Sequence, residues 1–205
     1  MARNLTPRGK IVRKYGENIF GNPKYDKILQ KKPYAPGQHG AEGRRKRLSE
    51  YAMQLREKQK AKYIFGLLEK QFRNTYEKAK NDKGITGENL IIRLECRLDT
   101  LVHRLGFAPS QRAARQLVSH KHFLVNSIST NIPSFLVKVG DVIAVREKSQ
   151  KMEIIHESLK RVSENPRPYL KVDKATLEGS LLETPKREDI MVKINEQLIV
   201  ELYSK

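Results

Sequence analysis

The amino-acid sequence predicts an α+β protein with a basic N-terminal arm. Three observations predict it. Proline and glycine crowd the first 45 residues and interrupt any long periodicity. Apolar residues then recur at helical spacing from about residue 48 to residue 119. Beyond His120 the period shortens to that of strands, so helices and strands are segregated along the chain, not alternated.

In residues 1–45, Pro7, Pro23, Pro33 and Pro36 are interspersed with Gly9, Gly16, Gly21, Gly37, Gly40 and Gly43. Proline removes backbone donors and glycine loosens the chain, so long helices are disfavoured. Ile11, Val12, Tyr15, Ile19, Phe20, Tyr25, Ile28 and Leu29 are nevertheless too apolar for a free tail. The expectation is an irregular arm with short helical turns, ordered against a partner.

Ser49 is a candidate cap for a helix carrying Tyr51, Ala52 and Leu55. Ile64, Leu67, Leu68, Phe72, Tyr76 and Ala79 trace one stripe on the next, which Asn81-Asp82-Lys83-Gly84 ends. A third helix is expected from Thr86, its N-cap, through Leu90, Ile91, Leu94, Leu98, Leu101, Val102 and Leu105 to Gly106. Ser110 then caps a short helix to about Ser119. Strands are expected at Phe123–Val125, around Ile128 and Ile132, at Phe135–Val137 and at Val142–Val145. Asn126-Ser127 and Gly140-Asp141 mark turns. Ser149 to Arg161 reads as a helix, and Asn165-Pro166-Arg167-Pro168 as an extended breaker. The stretch after it is weakly strand-like. Asn195 caps a last helix that buries Leu198, Ile199 and Leu202.

Charge narrows the function. The 205 residues hold 41 Lys and Arg against 23 Asp and Glu, a net +18. Such an excess repels itself in a compact fold and points to a polyanionic partner. Nucleic acid is the first candidate, because each phosphate neutralised releases counterions. An anionic membrane surface is the second. The excess is uneven: +9 in residues 1–50, +4 in 51–100, +5 in 101–150 and zero in 151–205. The first three quarters therefore read as binding surface and the last as scaffold.

Cys96 is the only cysteine, which rules out an internal disulfide and a cysteine-based zinc site and suits a reducing cytoplasm. No run approaches the ~20 apolar residues of a spanning helix, and no apolar stretch follows the N-terminal basic residues as in a secretory signal. No Walker loop, HExxH or GxSxG pattern is present. Glu95 and Asp99 lie one helical turn apart, as paired catalytic carboxylates do, but Arg93 and Arg97 beside them favour salt bridging. Cys96 has no evident base and reads as structural.

The helix after Ser110 sorts its residues by face. Ala113, Ala114, Leu117 and Val118 lie on one side. Arg112, Arg115, Gln116 and Ser119 lie on the other. The planar guanidinium fork suits phosphate oxygens, and the Ser110 end adds N–H groups and a positive dipole end. His120 and Lys121 extend that basic surface. A solvated helix face is the plain alternative.

Residues 94–146 favour the nucleic-acid reading. Leu94-Glu95-Cys96-Arg97-Leu98-Asp99, Arg104-Leu105-Gly106, Ala114-Arg115-Gln116-Leu117-Val118-Ser119-His120, Val125-Asn126, Pro133-Ser134 and Gly140-Asp141-Val142-Ile143 resemble, in order and spacing, the RNA-binding module named after small-subunit ribosomal protein four. The flanks are similar to the ribosomal protein itself: Ala35-Pro36-Gly37-Gln38-His39-Gly40, Tyr51 through Tyr76, Thr86-Gly87-Glu88-Asn89-Leu90 and the terminal Leu198 through Lys205.

The resemblance covers nearly the whole chain. It implies a module of two packed helices on a short-stranded sheet, at 94–157, inserted into a mainly helical domain. That domain spans 46–93 and is completed by the C-terminal helix 190–205. The arm occupies 1–45, and 158–189 extends the module. The resemblance also implies a cytoplasmic, ribosomal protein that binds 16S ribosomal RNA early in assembly. Ribosomal protein five and other small-subunit proteins are its implied neighbours, and decoding accuracy its implied concern. No cofactor, metal, membrane or small-molecule substrate is expected.

Three departures from the family pattern stand out. Gln111 occupies the place where the family usually has Arg, and Arg112 follows it. Asn126-Ser127 replaces the frequent Asn-Gly. The arm lacks the four cysteines that hold zinc in some members.

The remaining basic residues assigned to RNA are Arg3, Lys10, Arg13, Lys14 and Arg73, the run Arg44, Arg45, Lys46 and Arg47, and the helix pairs Arg56 with Lys60 and Lys58 with Lys62. Like charges at i,i+4 mildly destabilise a helix, and phosphate would relieve them. Tyr15, Tyr25, Tyr34 and Tyr51 are candidates either for stacking on unpaired bases or for packing in the arm. His39 lacks metal-binding companions. Two rival readings remain: an RNA-modifying enzyme that carries the same module, and a basic membrane-surface protein.

Overall fold

The computed structural model describes residues 5–41, 48–160 and 167–204. Arg3, the run Arg44–Arg47, and Asn165 and Pro166 of the expected breaker lie outside them. The chain divides into two compact units, Met1–Asn74 with Lys193–Lys205, and Thr75–Val192.

The first unit begins with α1 (Arg8–Tyr15) and α2 (Pro23–Lys31). These are two-turn helices where only short turns were expected. The prolines and glycines start and stop the helices instead of breaking them. Pro7 is the N-cap of α1, Gly16 ends it at φ 73°, and Pro23 opens α2 behind Asn22, whose side chain accepts from Lys24 N. Ile11, Val12 and Tyr15 are buried. Next comes α3 (Glu50–Ile64), with Ser49 Oγ accepting from Ala52 N as expected of a cap. Gly66, at φ 66°, separates α3 from α4 (Glu69–Lys80). The apolar stripe from Ile64 to Ala79 therefore spans a turn and not one helix.

The second unit carries α5 (Thr86–Glu95) and α6 (Leu98–Arg104) where one long helix was expected. Ile85, not Thr86, occupies the N-cap position. The break has a clear cause. Leu98 N donates to Phe135 O at 2.8 Å and Asp99 N to Pro133 O at 3.2 Å, while Val137 N donates to Cys96 O at 3.0 Å. The segment around 133–137 thus takes up the backbone groups at the kink. For the same reason Phe135–Val137, expected as a strand, makes only a single bridge, Arg97 with Leu136. Gly106, at φ 85°, follows α6, with Phe107 N bonded back to Val102 O.

After α7 (Gln111–Ser119) come β1 (Phe123–Val125), β2 (Ile128–Ser129) and β3 (Val142–Val145). Ile132 lies outside the strands. The helix expected from Ser149 starts only at α8 (Glu153–Leu159), after a 3-10 turn at Glu147–Ser149, and Arg161, its expected end, lies outside the described residues. The weakly strand-like stretch becomes the hairpin β4 (Leu170–Asp173) and β5 (Glu178–Leu181). The antiparallel sheet has the order β2-β1-β3-β5-β4. Alternation along its strands turns Phe123, Val125, Ile143, Val145, Leu170 and Leu181 into a core with Leu101, Leu105, Leu117 and Val118. Gly179 on β5 lies under Leu105: a Cβ there would meet Leu105 Cδ2 at 2.6 Å.

The closing helix of the first unit, α9 (Glu196–Ser204), packs on α3. Asn195 Oδ1 accepts from Gln197 N and Leu198 N, which makes it the cap the sequence predicts. Ile199 is fully buried, while Leu198 and Leu202 are only half-buried.

Candidate nucleic-acid interface

The helix α7 is the best-defined basic feature of the second unit. Ser110 Oγ accepts from Ala113 N at 3.3 Å and sets the start of the helix. Ala114, Leu117 and Val118 are buried. Arg112, Gln116, His120 and Lys121 are exposed. Lys121 adopts φ 63° and turns the chain out of the helix, with Lys121 N bonded to Val118 O and His122 N to Leu117 O. Gln111, at the departure from the family pattern, is buried and donates to Thr100 Oγ1 at 3.1 Å. The outward position therefore passes to Arg112.

The pairing of Arg112 with Arg115 on one open face needs correction. Arg115 is half-buried, and its guanidinium lies 3.6 Å from Asp99 Oδ2. Asp99 is fully buried and also accepts from Arg97 Nε at 3.0 Å and Nη2 at 2.9 Å. Burial pushes the Asp99 carboxyl up, against the pull of Arg97 and Arg115. Burial also lowers the Arg115 guanidinium, with Asp99 opposing. Arg115 thus has a structural partner inside the protein, and Arg112 is the more accessible of the two.

The expected salt bridging of Glu95 and Asp99 is present with rearranged partners. Asp99 takes Arg97. Glu95 takes Arg104 and the Tyr169 hydroxyl, the latter at 2.9 Å, while Arg93 pairs with Asp82. Neither carboxylate is left for catalysis. Burial, helped by Glu95, raises the Cys96 thiol to about 11, so it carries almost no thiolate at neutral pH. The sequence singled out Arg104 only within Arg104-Leu105-Gly106 and not as the partner of Glu95, and nothing marked Tyr169.

In the first unit Lys10 and Lys14 are exposed on α1, and Arg73 is exposed on α4. Arg13 is half-buried and donates to Tyr34 O and Ala35 O. Arg56 donates to Tyr15 O at 3.0 Å and lies over the Tyr15 ring. The like-charged pairs on α3 are also corrected. Lys58 and Lys60 are buried, Lys58 bound to Glu69 at 2.6 Å and Lys60 to Glu17 at 2.7 Å, and Lys62 reaches Glu69 at 3.0 Å. Carboxylates of the fold supply the relief that phosphate was expected to give. His39 is exposed. Among the described residues no group of three or more His, Cys, Asp or Glu could hold a metal ion, and no helix is long and apolar enough to cross a membrane.

Residues 3–95 match the family described as ribosomal protein S4/S9 N-terminal domain, and residues 96–143 match the S4 domain. The chain is 56% identical over 205 residues to the small ribosomal subunit protein uS4 of Parabacteroides distasonis, covering all of both chains. It is 54% identical to the protein of that name from Porphyromonas gingivalis and 52% identical to that from Chlorobium luteolum, again over the full length of each. The chain belongs to the uS4 family. In this uS4-family chain the S4-domain match begins at the kink between α5 and α6 and ends within β3. The sheet continues past it, because β5 pairs with β3 and β4 with β5. The N-terminal match takes in α1 through α5, so the glycine- and proline-rich arm is part of the matched family domain.

Proposed function

We propose that the chain is a non-catalytic, RNA-binding constituent of the small ribosomal subunit that works in the cytoplasm. The observation that carries this reading is the full-length identity of more than half with proteins named small ribosomal subunit protein uS4. The net charge of +18 agrees with it, since a polyanion offsets the self-repulsion. Within the second unit, Ser110, Arg112, Gln116, His120 and Lys121 are the residues proposed to meet RNA, with Arg115 placed beneath them. Within the first unit they are Lys10, Arg13, Lys14, Arg56 and Arg73. Phosphate contacts capture the RNA, and the folded shape of the transcript selects it.

The finer proposal is early binding to 16S ribosomal RNA, which nucleates the subunit body, and contact with ribosomal protein five and other small-subunit proteins in support of accurate decoding. It rests on family resemblance. The test is filter binding of the purified chain to a 16S transcript over a range of salt, with co-sedimentation on small subunits. A steep fall of affinity with salt and recovery in the subunit fraction are expected. Indifference to the transcript at low ionic strength would overturn the reading.

A further inference from the structure

Four tyrosines of the first unit were candidates for meeting an unpaired base, and their surroundings differ. Tyr15 is buried, edge-on to Tyr63 and under Arg56. Tyr25 leans on Phe20. Tyr51 is exposed, but among the described residues no cation or ring lies against it. Tyr34 alone combines exposure, at 39%, with a guanidinium over its ring: Arg13 Cζ stands 4.8 Å from the centroid.

The same arginine holds the backbone that carries the ring. Arg13 Nε donates to Tyr34 O at 3.0 Å and Nη2 to Ala35 O at 3.1 Å. The loop beyond is closed tightly. Gly40 N bonds to Gly37 O, and a Cβ on Gly40 would stand 1.9 Å from Ala35 O. One side chain thus orders the ring, its peptide and the next. A ring already ordered loses little further freedom when a ligand lands on it.

We propose that Tyr34, backed by Arg13, is a stacking platform for one unpaired nucleobase of the bound RNA. The proposal rests on the RNA-binding reading above. The ring offers a π-face that any base can cover, and the guanidinium beside it adds cation–π attraction. Exposed Lys10, Lys14, Lys31 and Lys32 in the same unit supply a positive field for the flanking phosphates. Stacking adds affinity without neutralising a phosphate, so it leaves a different signature from a lysine contact.

The experiment measures the affinity of the full chain for the 16S transcript at several salt concentrations. Wild-type binding with a steep slope establishes the RNA reading, and its absence removes that reading and the platform together. Given wild-type binding, Tyr34→Phe is expected to stay within about twofold. Tyr34→Leu is expected to lose about 5- to 100-fold at every salt with an unchanged slope. Lys14→Gln, by contrast, is expected to reduce the slope by about one. A folded Tyr34→Leu variant, by far-ultraviolet circular dichroism, with wild-type affinity would overturn the platform. If that variant loses helicity, ultraviolet crosslinking of the wild-type complex decides: a nucleotide adduct on Tyr34 supports the proposal, and its absence overturns it.

Discussion

Arg115 and Asp99 approach to 3.6 Å across the α6–α7 packing, on a carboxylate that Arg97 already grips with two hydrogen bonds. One buried negative charge therefore serves two arginines, and the arginine face of α7 is divided. Arg115 reaches inward and Arg112 stays exposed. This division makes stability and RNA affinity separable. Asp99→Asn should destabilise the second unit by about 3–5 kcal/mol in urea unfolding, because it leaves Arg97 buried without a countercharge. Arg112→Gln, at an exposed side chain, should lower the salt slope of RNA binding by about one. Arg115→Gln should shift the midpoint. A variant pair with those effects exchanged would contradict the assignment.

Glu69 links three elements of the first unit, accepting from Lys58, Lys62 and the Tyr203 hydroxyl. Burial alone would raise its carboxyl, but these three hydrogen bonds outweigh burial and hold it below the ordinary glutamate range. The folded state thus prefers the ionised form. The stabilisation is fully present above the ordinary glutamate titration, about pH 4.3, and is lost as pH falls through the lower folded value. Because Glu69 is nearly half exposed, solvent screening limits the effect to about 1 kcal/mol. Urea midpoints measured between pH 3 and pH 7 should fall more steeply in acid for the natural chain than for Glu69→Gln. Parallel profiles would show that Glu69 is not the linked group.

The turn between β1 and β2 holds Asn126 at φ 49° and Ser127 at φ 67°. Two left-handed residues in a two-residue hairpin loop make a type I′ turn, although Ser127 stands where the family often has glycine. Asn126 suits its place. Its side chain donates to Asp141 Oδ1 and accepts from Val142 N, which ties the turn to the start of β3. Among the described residues no such partner compensates the Ser127 side chain, which carries the cost of a Cβ in the left-handed region. Ser127→Gly should raise stability by about 0.5–1 kcal/mol after the added freedom of glycine in the unfolded chain is subtracted. Thermal unfolding measures it, and a lower midpoint would refute the strain argument.

Gly179 gives the opposite case. Leu105 Cδ1 and Cδ2 fill the space that a Cβ would take, at 2.7 and 2.6 Å. Gly179→Ala must push Leu105 or separate β5 from α6, at a cost of about 1–3 kcal/mol in urea unfolding. The double variant Gly179→Ala with Leu105→Val should recover part of the loss if the clash is the cause. Recovery of none would place the cost elsewhere.

Much of the fold was legible because it is local. Ser49, Ser110 and Asn195 cap helices through bonds to residues two or three positions away, and a sequence shows such pairs directly. The change of period after His120 announces the sheet, and the uneven charge announces a polyanionic partner. Other features were invisible because their causes are distant in sequence. The kink at Cys96-Arg97 depends on carbonyls at 133 and 135, some 35 residues downstream. The hairpin β4–β5 is weak in local propensity and is a strand pair because β3 offers an open edge.

The chain by itself determined that a helix-rich, strongly basic protein would form, where most helices would start, and which family it belongs to. Only the tertiary structure decided which cations remain available to a partner. Lys58, Lys60 and Arg115 look like Lys10 and Lys14 in one dimension, since each is a long basic side chain on a helix. Folding brought Glu69, Glu17 and Asp99 against the first three. A charge is spoken for or open according to what lies within about 4 Å of it, and that distance exists only once the chain has closed on itself.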